Sequence, residues 1–366
     1  MALISYGKFR GTVVDVDLNA PPKERWREAV NIWGDELHEL MDEVEQTVRE
    51  YRDTGLPWYF KRLMSESAFK LTGNAIALVA GLFKQEYLAE IRGMAAQAGL
   101  PVWKALLANL MYDITQISEY HWGGRAGACS SYSFNLPGNI PALARNMDWD
   151  IPPTIGRHTQ LVRFHRGKRH YTSVGIIGMV GVLSAMYDNH WAATLNQAPI
   201  CKLGVRYFQW PGLQRLRAVC DEFGTFHQFI ERLEAYQTMT PFAVHVVGTK
   251  PKRHVVVNAL GESFSKWWLE KDQPFLIQTN HFVDPDLAEY NDEIENWIDE
   301  DGTQWCLDSK PRYQALLRQL TRGLPGSLAE AHRLIKRNRT VTTQRTMQSM
   351  VLCPASGELL LDVRAD

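Results

Sequence analysis

The stretch "GGRAGACSSYSFN" (123–135) places Cys129 among glycines, alanines and serines. A core cysteine normally sits among larger apolar neighbours, and a disulfide cysteine needs an oxidising compartment. Sixteen residues on comes "ARNMDWD", with Arg145 and Asp148. The intervening "FNLPGNIPAL" reads as strand, Pro-Gly turn and return strand, which carries Arg145 and Asp148 back beside Cys129. Nearby positive charge favours a thiolate, the nucleophilic form of cysteine. A nucleophile also needs a base. Cutting the Ala128–Cys129 bond would create an α-amine with a pKa near ~8, close enough to neutrality to exchange protons. Asp148 would orient that ammonium, and small residues at Gly127 and Ala128 leave room for the thiol to attack the preceding carbonyl.

Blander readings stand beside this one. Cys129 could be a free cysteine without a role, and Arg145 and Asp148 an exposed pair across a hairpin. Asn196 and Asn280 could be turn asparagines. His245 or His254 could pair with Cys129 in a papain-like arrangement, which would leave the Arg-Asp motif unexplained. Ser130 and Ser131 lack a GxSxG elbow. "HELMDE" (38–43) lacks the second histidine of a zinc-protease motif, so neither a metal site nor a cofactor is expected.

The elements that must position these groups change character at Cys129. Before it, apolar residues from Trp26 to Val48 recur at helical spacing, after Pro21-Pro22. Further helices are expected over 84–98, ended by Gly99, and over 102–119. After it come apparent hairpins: "LVRFH"/"RHYTSVGII", "VGVLSAM"/"HWAATLN", "FAVHVVG"/"RHVVVNAL" and "RTMQSMVLC"/"ELLLDVR". Helices are expected between them over 211–236, 311–321 and 326–337. Hairpins interleaved with helices predict an α+β layered fold rather than a doubly wound parallel sheet.

The 366 residues carry 45% hydrophobic and 22% charged residues and a formal net charge of −1. That balance gives no electrostatic reason for a nucleic-acid or anionic-membrane partner. "RFHRGKRH" (163–170) is read as a solvated hairpin turn. No apolar run approaches the ~20 residues of a membrane helix, and the first residues do not resemble a signal peptide, so a cytoplasmic location is expected. Five scattered cysteines without a CxxC fit a reducing compartment.

"CSS" at 129, "RNMDW" at 145–149, "TLNQ" at 194–197 and "QTNHF" at 278–282 together resemble the cysteine N-terminal-nucleophile (Ntn) hydrolases. The similarity is to the branch with acid ceramidase, N-acylethanolamine acid amidase and choloylglycine hydrolase. "VDLNAPPKERWREAV" is similar to the start of the lysosomal amidases. The resemblance implies a four-layer αββα sandwich, with a mainly helical segment, 1–128, retained as a small subunit after cleavage and a catalytic segment, 129–366. It implies that Cys129 cleaves the chain before itself and then forms a thioester with a linear N-acyl amide of fatty or aromatic acyl group. Asp148 would bind the α-amine and Arg145 the thiol. Asn196 and Asn280 match asparagines near the reacting carbonyl, and one or both would donate to the oxyanion, a contribution of ~3 kcal/mol per donor in other enzymes. Arg312 matches a last family arginine. Acyl transfer to an amine, bile-salt or β-lactam hydrolysis, and an inactive binding protein of the same fold are the competing functions. Oligomeric state stays open, a homo-oligomer included. Where lysosomal members carry Asn-Glu this chain has Asn196-Gln197, so work near neutral pH is expected.

Trp149 abuts Asp148 and Trp122 precedes the cleavage point. With Trp191 they are expected to line an apolar acyl pocket at the junction of the two segments. Trp149→Ala should therefore slow hydrolysis of long-chain amides more than short-chain ones; equal losses on both would remove Trp149 from the pocket.

Overall fold

Alternating polar and apolar residues after Cys129 become antiparallel strands stacked in two layers. The computed structural model describes residues 4–6, 13–53, 83–122, 128–149, 152–198, 203–206, 209–235, 237–291 and 309–363. Strands β1 (Ile4–Tyr6), β3 (Ala128–Leu136), β4 (Ile140–Asp148), β12 (Phe275–Gln278), β13 (Thr346–Cys353) and β14 (Glu358–Val363) form one sheet, in the order β1-β14-β13-β4-β3-β12. The second sheet holds β2 (Val13–Asp17), β5 (Thr159–Arg166), β6 (Arg169–Ile176), β7 (Ser184–Tyr187), β8 (Trp191–Gln197), β9 (Phe242–Gly248), β10 (His254–Ala259) and β11 (Phe264–Trp268), in the order β11-β10-β9-β8-β7-β6-β5-β2.

The inner faces meet through Leu143, Met350 and Leu361 of one sheet and Leu161, Val174 and Val247 of the other. On the outer face of the six-stranded sheet, Tyr132, Phe134 and Ala144 pack against α7 (Ser309–Arg322) and α8 (Leu328–Arg337), through Leu316, Leu320 and Ile335. The outer face of the eight-stranded sheet is covered by α1 (Arg27–Trp33), α2 (Asp35–Asp53), α3 (Gln85–Gln97), α4 (Val102–Trp122), α5 (Gly212–Cys220) and α6 (Phe226–Glu234). The layers therefore run helix, sheet, sheet, helix, as the sequence motifs implied.

Turn chemistry sets the hairpin registers. The β3–β4 loop is closed by the Leu136–Ile140 pair, with Gly138 and Asn139 both at positive φ. Two helical expectations need correction. The stretch 211–236 is two helices, because Phe223 turns left-handed and Thr225 starts a new helix with a capping box to Gln228. The first helical stretch breaks at Gly34, whose φ is +51°. The run "NAIALVAGLF" lies outside the described residues except for Phe83. No helix among the described residues is long and apolar enough to cross a membrane.

The segment before Cys129 is less purely helical than expected. β2 extends the eight-stranded sheet by parallel pairing with β5, and β1 pairs with β14. Its helices share one apolar core with β5–β9, from Val14 and Tyr87 to Leu195 and Val246. A charged cluster crosses the same junction. Glu90 on α3, fully buried, accepts hydrogen bonds from Arg25 Nη1 (2.7 Å), Trp26 Nε1 (2.7 Å) and Arg217 of α5 (2.8 and 3.0 Å). Asp221 pairs with Arg217 Nε and accepts from the hydroxyls of Tyr87 and Tyr171. Removing one member of such a set strands buried charge. Glu90→Ala should lower unfolding stability by about 3–5 kcal/mol in urea denaturation; a loss under 1 kcal/mol would show that the cluster does not hold the two segments together.

Candidate active site

Strand periodicity decides which side chains meet. Cys129, Ser131 and Ser133 share one face of β3, turned towards the other sheet. In the β3–β4 register Cys129 lies opposite Met147, Ser131 opposite Arg145, and Ala128 opposite Asp148. Arg145 is fully buried. Its Nη2 donates to Cys129 Sγ (3.3 Å) and to the Leu195 carbonyl (2.7 Å). Its Nη1 donates to the Leu183 carbonyl (3.0 Å) and to Ser184 Oγ. No carboxylate among the described residues lies within ion-pair distance of this guanidinium. Its oxygen acceptors are carbonyls and a hydroxyl, all neutral groups.

The other two backbone polar groups of Cys129 are also held by side chains. Its amide N–H donates to Asn280 Oδ1 (2.8 Å), and its carbonyl accepts from Arg312 Nη1 (2.5 Å). Arg312, on α7, donates further to Ser130 Oγ (2.7 Å) and Asn280 Oδ1 (2.7 Å). Asn280 Nδ2 donates to the Gln197 carbonyl (3.0 Å). Ser309 begins α7 and receives the Asn280 amide on its hydroxyl (2.9 Å), which ties the helix carrying Arg312 to the loop carrying Asn280. The structure thus gathers Cys129, Arg145, Asp148, Asn280 and Arg312 at the head of β3.

Asn196 is placed differently. Its Nδ2 is taken up by the carbonyls of Gln278 (3.1 Å) and Thr279 (3.2 Å) and by Ser131 Oγ (3.2 Å). Two carbonyls facing the amide fix which end is nitrogen. Asn196 is a brace between β8 and the β12 end, and the expectation that its NH₂ donates to an oxyanion needs correction. Trp191 also needs correction. It is fully buried on the helix-facing side of β8, tilted against Phe229 of α6 with 4.2 Å between ring centroids, and its indole N–H donates to the Gly224 carbonyl (3.0 Å). It belongs to the core. Trp149 is buried edge-on to Tyr112 of α4, 6.3 Å between centroids, at the junction of the segments. Residues 123–127, and with them Gly127, and the side chain of Trp122, lie outside what the structure describes.

A papain-like pair is not formed. His245 Nδ1 faces Ser131 Oγ (3.0 Å) and Nε2 faces Ser133 Oγ (2.8 Å), so both ring nitrogens are occupied along β3 beyond Cys129. Burial pushes its pKa down to about 3, against service as a base at neutral pH. His254 bonds Asn135 Oδ1 (3.2 Å), further along the strand. Ser184 and Ser309 were not singled out from sequence, and Ser131 was weighed only as a rival nucleophile. Ser131 was findable, since it follows Cys129 by two in a strand; the other two answer to distant elements.

An internal cysteine thus heads a strand of an αββα sandwich, with an arginine on its sulfur. No family model matches the chain. It is 24% identical over 303 residues to the N-acylethanolamine-hydrolyzing acid amidase of Caenorhabditis elegans, covering 81% of this chain and 78% of that protein. It is 26% identical over 199 residues to a probable acid ceramidase of the same organism, covering 50% of this chain and 44% of that one. Among solved structures, a C. elegans ortholog of the acid amidase aligns over 62% of this chain and 93% of its own, at 19% identity and a TM-score of 0.49. A conjugated bile acid hydrolase of Clostridium perfringens aligns over 64% and 89%, at 10% identity and a TM-score of 0.34. The chain is thus similar to an acid amidase over most of its length and to a probable acid ceramidase over half of it.

Beside the site, Asp113 of α4 joins the two segments, accepting from the Gly212 amide (3.1 Å) and Thr240 Oγ1 (3.2 Å). Burial raises its pKa from 3.8 to about 7 despite those bonds. Between these values the folded chain holds a proton that the unfolded chain has released. This carboxyl therefore makes stability fall as pH rises from about 4 to about 7, and its effect is flat above. Asp113→Asn should remove that slope, at most ~1.4 kcal/mol per pH unit, in urea unfolding measured across the window; an unchanged slope would mean that Asp113 is ionised throughout.

Proposed function

We propose that the chain is a self-processing amidase that hydrolyses linear N-acyl amides through a thioester on Cys129. One juxtaposition carries this reading: the sulfur, amide nitrogen and carbonyl of Cys129 are each met by a different side chain, Arg145, Asn280 and Arg312. A structural cysteine has no use for three such partners. The amide-hydrolysing relatives support the same chemistry.

In the processing step the sulfur adds to the Ala128 carbonyl, the C–N bond to Cys129 breaks, and a thioester forms. Water then cleaves the thioester, leaving a carboxylate on Ala128 and a free α-amine on Cys129. That amine starts where the amide nitrogen now lies, against Asn280 Oδ1. Asp148, opposite Ala128 in the strand register, would hold it. In the catalytic cycle the amine takes the thiol proton and the sulfur adds to the substrate carbonyl. Asn280, whose Oδ1 touches the Cys129 nitrogen, stands beside the reacting carbonyl. The ammonium gives its proton to the leaving amine as the C–N bond breaks. Water, deprotonated by the amine, then cleaves the thioester to the free acid.

The segment 1–128 would stay bound as the small chain, since its helices complete the core under β5–β9. The acyl group expected is fatty or aromatic, with Trp149 at the junction to meet it.

The test is the intact mass of the purified protein beside Cys129→Ala, across a pH series. Two fragments joining at Ala128/Cys129 are expected, with a single 41.8 kDa chain in the variant. Cleaved protein is then offered a panel of N-acyl amides, with and without added amine. Free acid as product supports the amidase. New amide in excess of acid would make it an acyltransferase, and an uncut chain at every pH would overturn the reading.

A further inference from the structure

The two side chains that hold the backbone of Cys129 meet at one hydroxyl. Asn280, on the nitrogen, and Arg312, on the carbonyl, come from different elements, and Ser309 joins them. Thr279, His281 and Ser309, all buried, close a triangle of polar atoms around that joint. His281 Nδ1 lies 2.9 Å from Ser309 Oγ and 3.0 Å from Thr279 Oγ1, and the two hydroxyl oxygens are 3.0 Å apart. Thr279 Oγ1 donates to the Ser309 carbonyl (3.1 Å), which takes its proton out of the triangle. The Ser309 proton goes to Thr279 Oγ1. Given to Nδ1 instead, it would leave both contacts of Thr279 within the triangle without a hydrogen. Every side is satisfied when the ring carries its proton on Nδ1 and donates to the two hydroxyls. Ser309 Oγ is then saturated. Its proton goes to Thr279, one lone pair takes the Asn280 amide (2.9 Å), and the other takes His281 Nδ1–H.

We propose that His281 is a positioning residue for the chemistry at Cys129. Its Nδ1–H locks the Ser309 hydroxyl, and that hydroxyl holds Asn280 Oδ1 against the Cys129 nitrogen (2.8 Å) and the helix of Arg312 against the Cys129 carbonyl. The bond to be cut ends at that nitrogen, so the lock sets where it lies for the sulfur in processing, and where the α-amine lies afterwards. The ring itself is fixed. Tyr313, next to Arg312 on α7, lies edge-on to it at 5.4 Å between centroids, and the His281 carbonyl accepts from Gln278 Nε2 (2.9 Å). Burial, with Lys310 and Arg312 as positive neighbours, pushes its pKa down to about 4, so at neutral pH it adds no further charge beside Arg312. This rests on Cys129 being the nucleophile. His281 stands in "QTNHF", a motif in which Asn280 alone was given a task.

The test has two arms. In the uncut Cys129→Ala chain, hydrogen exchange of the amide at position 129 is read by peptide mass. His281→Leu fills the site without a donor and should speed that exchange about tenfold, the order of one hydrogen bond, while His281→Asn, whose Nδ2 can replace Nδ1, should stay within about twofold of its parent. In the chain that keeps Cys129, hydrolysis of an N-acyl amide is measured for His281→Leu, His281→Asn, Ser309→Ala and the His281→Leu/Ser309→Ala pair, with unfolding midpoints alongside. His281→Leu and Ser309→Ala should each lower kcat about tenfold with KM little moved, and the pair should lose no more than either alone, since both act on one hydroxyl. Unchanged exchange or unchanged kcat in His281→Leu would overturn the assignment. So would additive losses in the pair, a His281→Asn that falls as far as His281→Leu, or a kcat that follows the unfolding midpoint across the set, each of which would make the ring structural. A wild type that neither cuts itself nor hydrolyses an amide would sink the amidase reading, while the exchange ratio of the two His281 variants would still decide the role of the ring.

Discussion

A guanidinium buried between two sheets organises this molecule. Arg145 stands on β4, and three of its bonds go to Leu183, Ser184 and Leu195 around β7 and β8, so it pins the layers at one end of the sandwich. An arginine there is expensive unless its donors are met. Carbonyls and a hydroxyl meet its Nη donors without cancelling the charge, Nε is left without a partner, and the remaining contact is the Cys129 sulfur. The residue that fixes the sheets is thus the one that touches the thiol. Arg145→Lys would keep a charge but could not reach four acceptors with one ammonium, so structure and chemistry would fail together.

The same economy governs the chain before Cys129. Its parallel strand β2, its helices and the Glu90–Arg217 cluster belong to the core that carries Cys129. A break at Ala128–Cys129 would divide the chain but no layer.

What the sequence made legible follows from locality. The β3–β4 hairpin was readable because its Pro-Gly-Asn turn and period-2 pattern are neighbours in the chain, and they suffice to bring Arg145 beside Cys129. The αββα order was legible through resemblance, and the hairpins themselves through turn residues. Helix breaks were harder. Gly34 and Phe223 interrupt helical periodicity by backbone conformation alone, which apolar spacing does not register. Trp191 was misplaced for a related reason. An aromatic five residues from Asn196 in a strand lies on the opposite face, and only knowledge of which face carries the helices tells core from pocket.

Asn196 and Asn280 show how far motif matching reaches. Both sit in Asn-containing motifs of the same resemblance and were assigned the same role. The structure separates them by what their nitrogens face. Asn196 gives its NH₂ to two carbonyls and a hydroxyl of the opposite sheet, and so holds the β12 end against β8. Asn280 turns its carbonyl to the Cys129 amide and to Arg312, and its nitrogen to the Gln197 backbone. The brace therefore positions the loop from which the second asparagine works, since Asn196 grips Thr279, the residue before Asn280. Replacing Asn196 would act on Cys129 only through that loop, whereas replacing Asn280 removes the atom that touches the nitrogen. Two asparagines of one motif set thus do different work, and hydrogen-bond direction, not residue identity, distinguishes them.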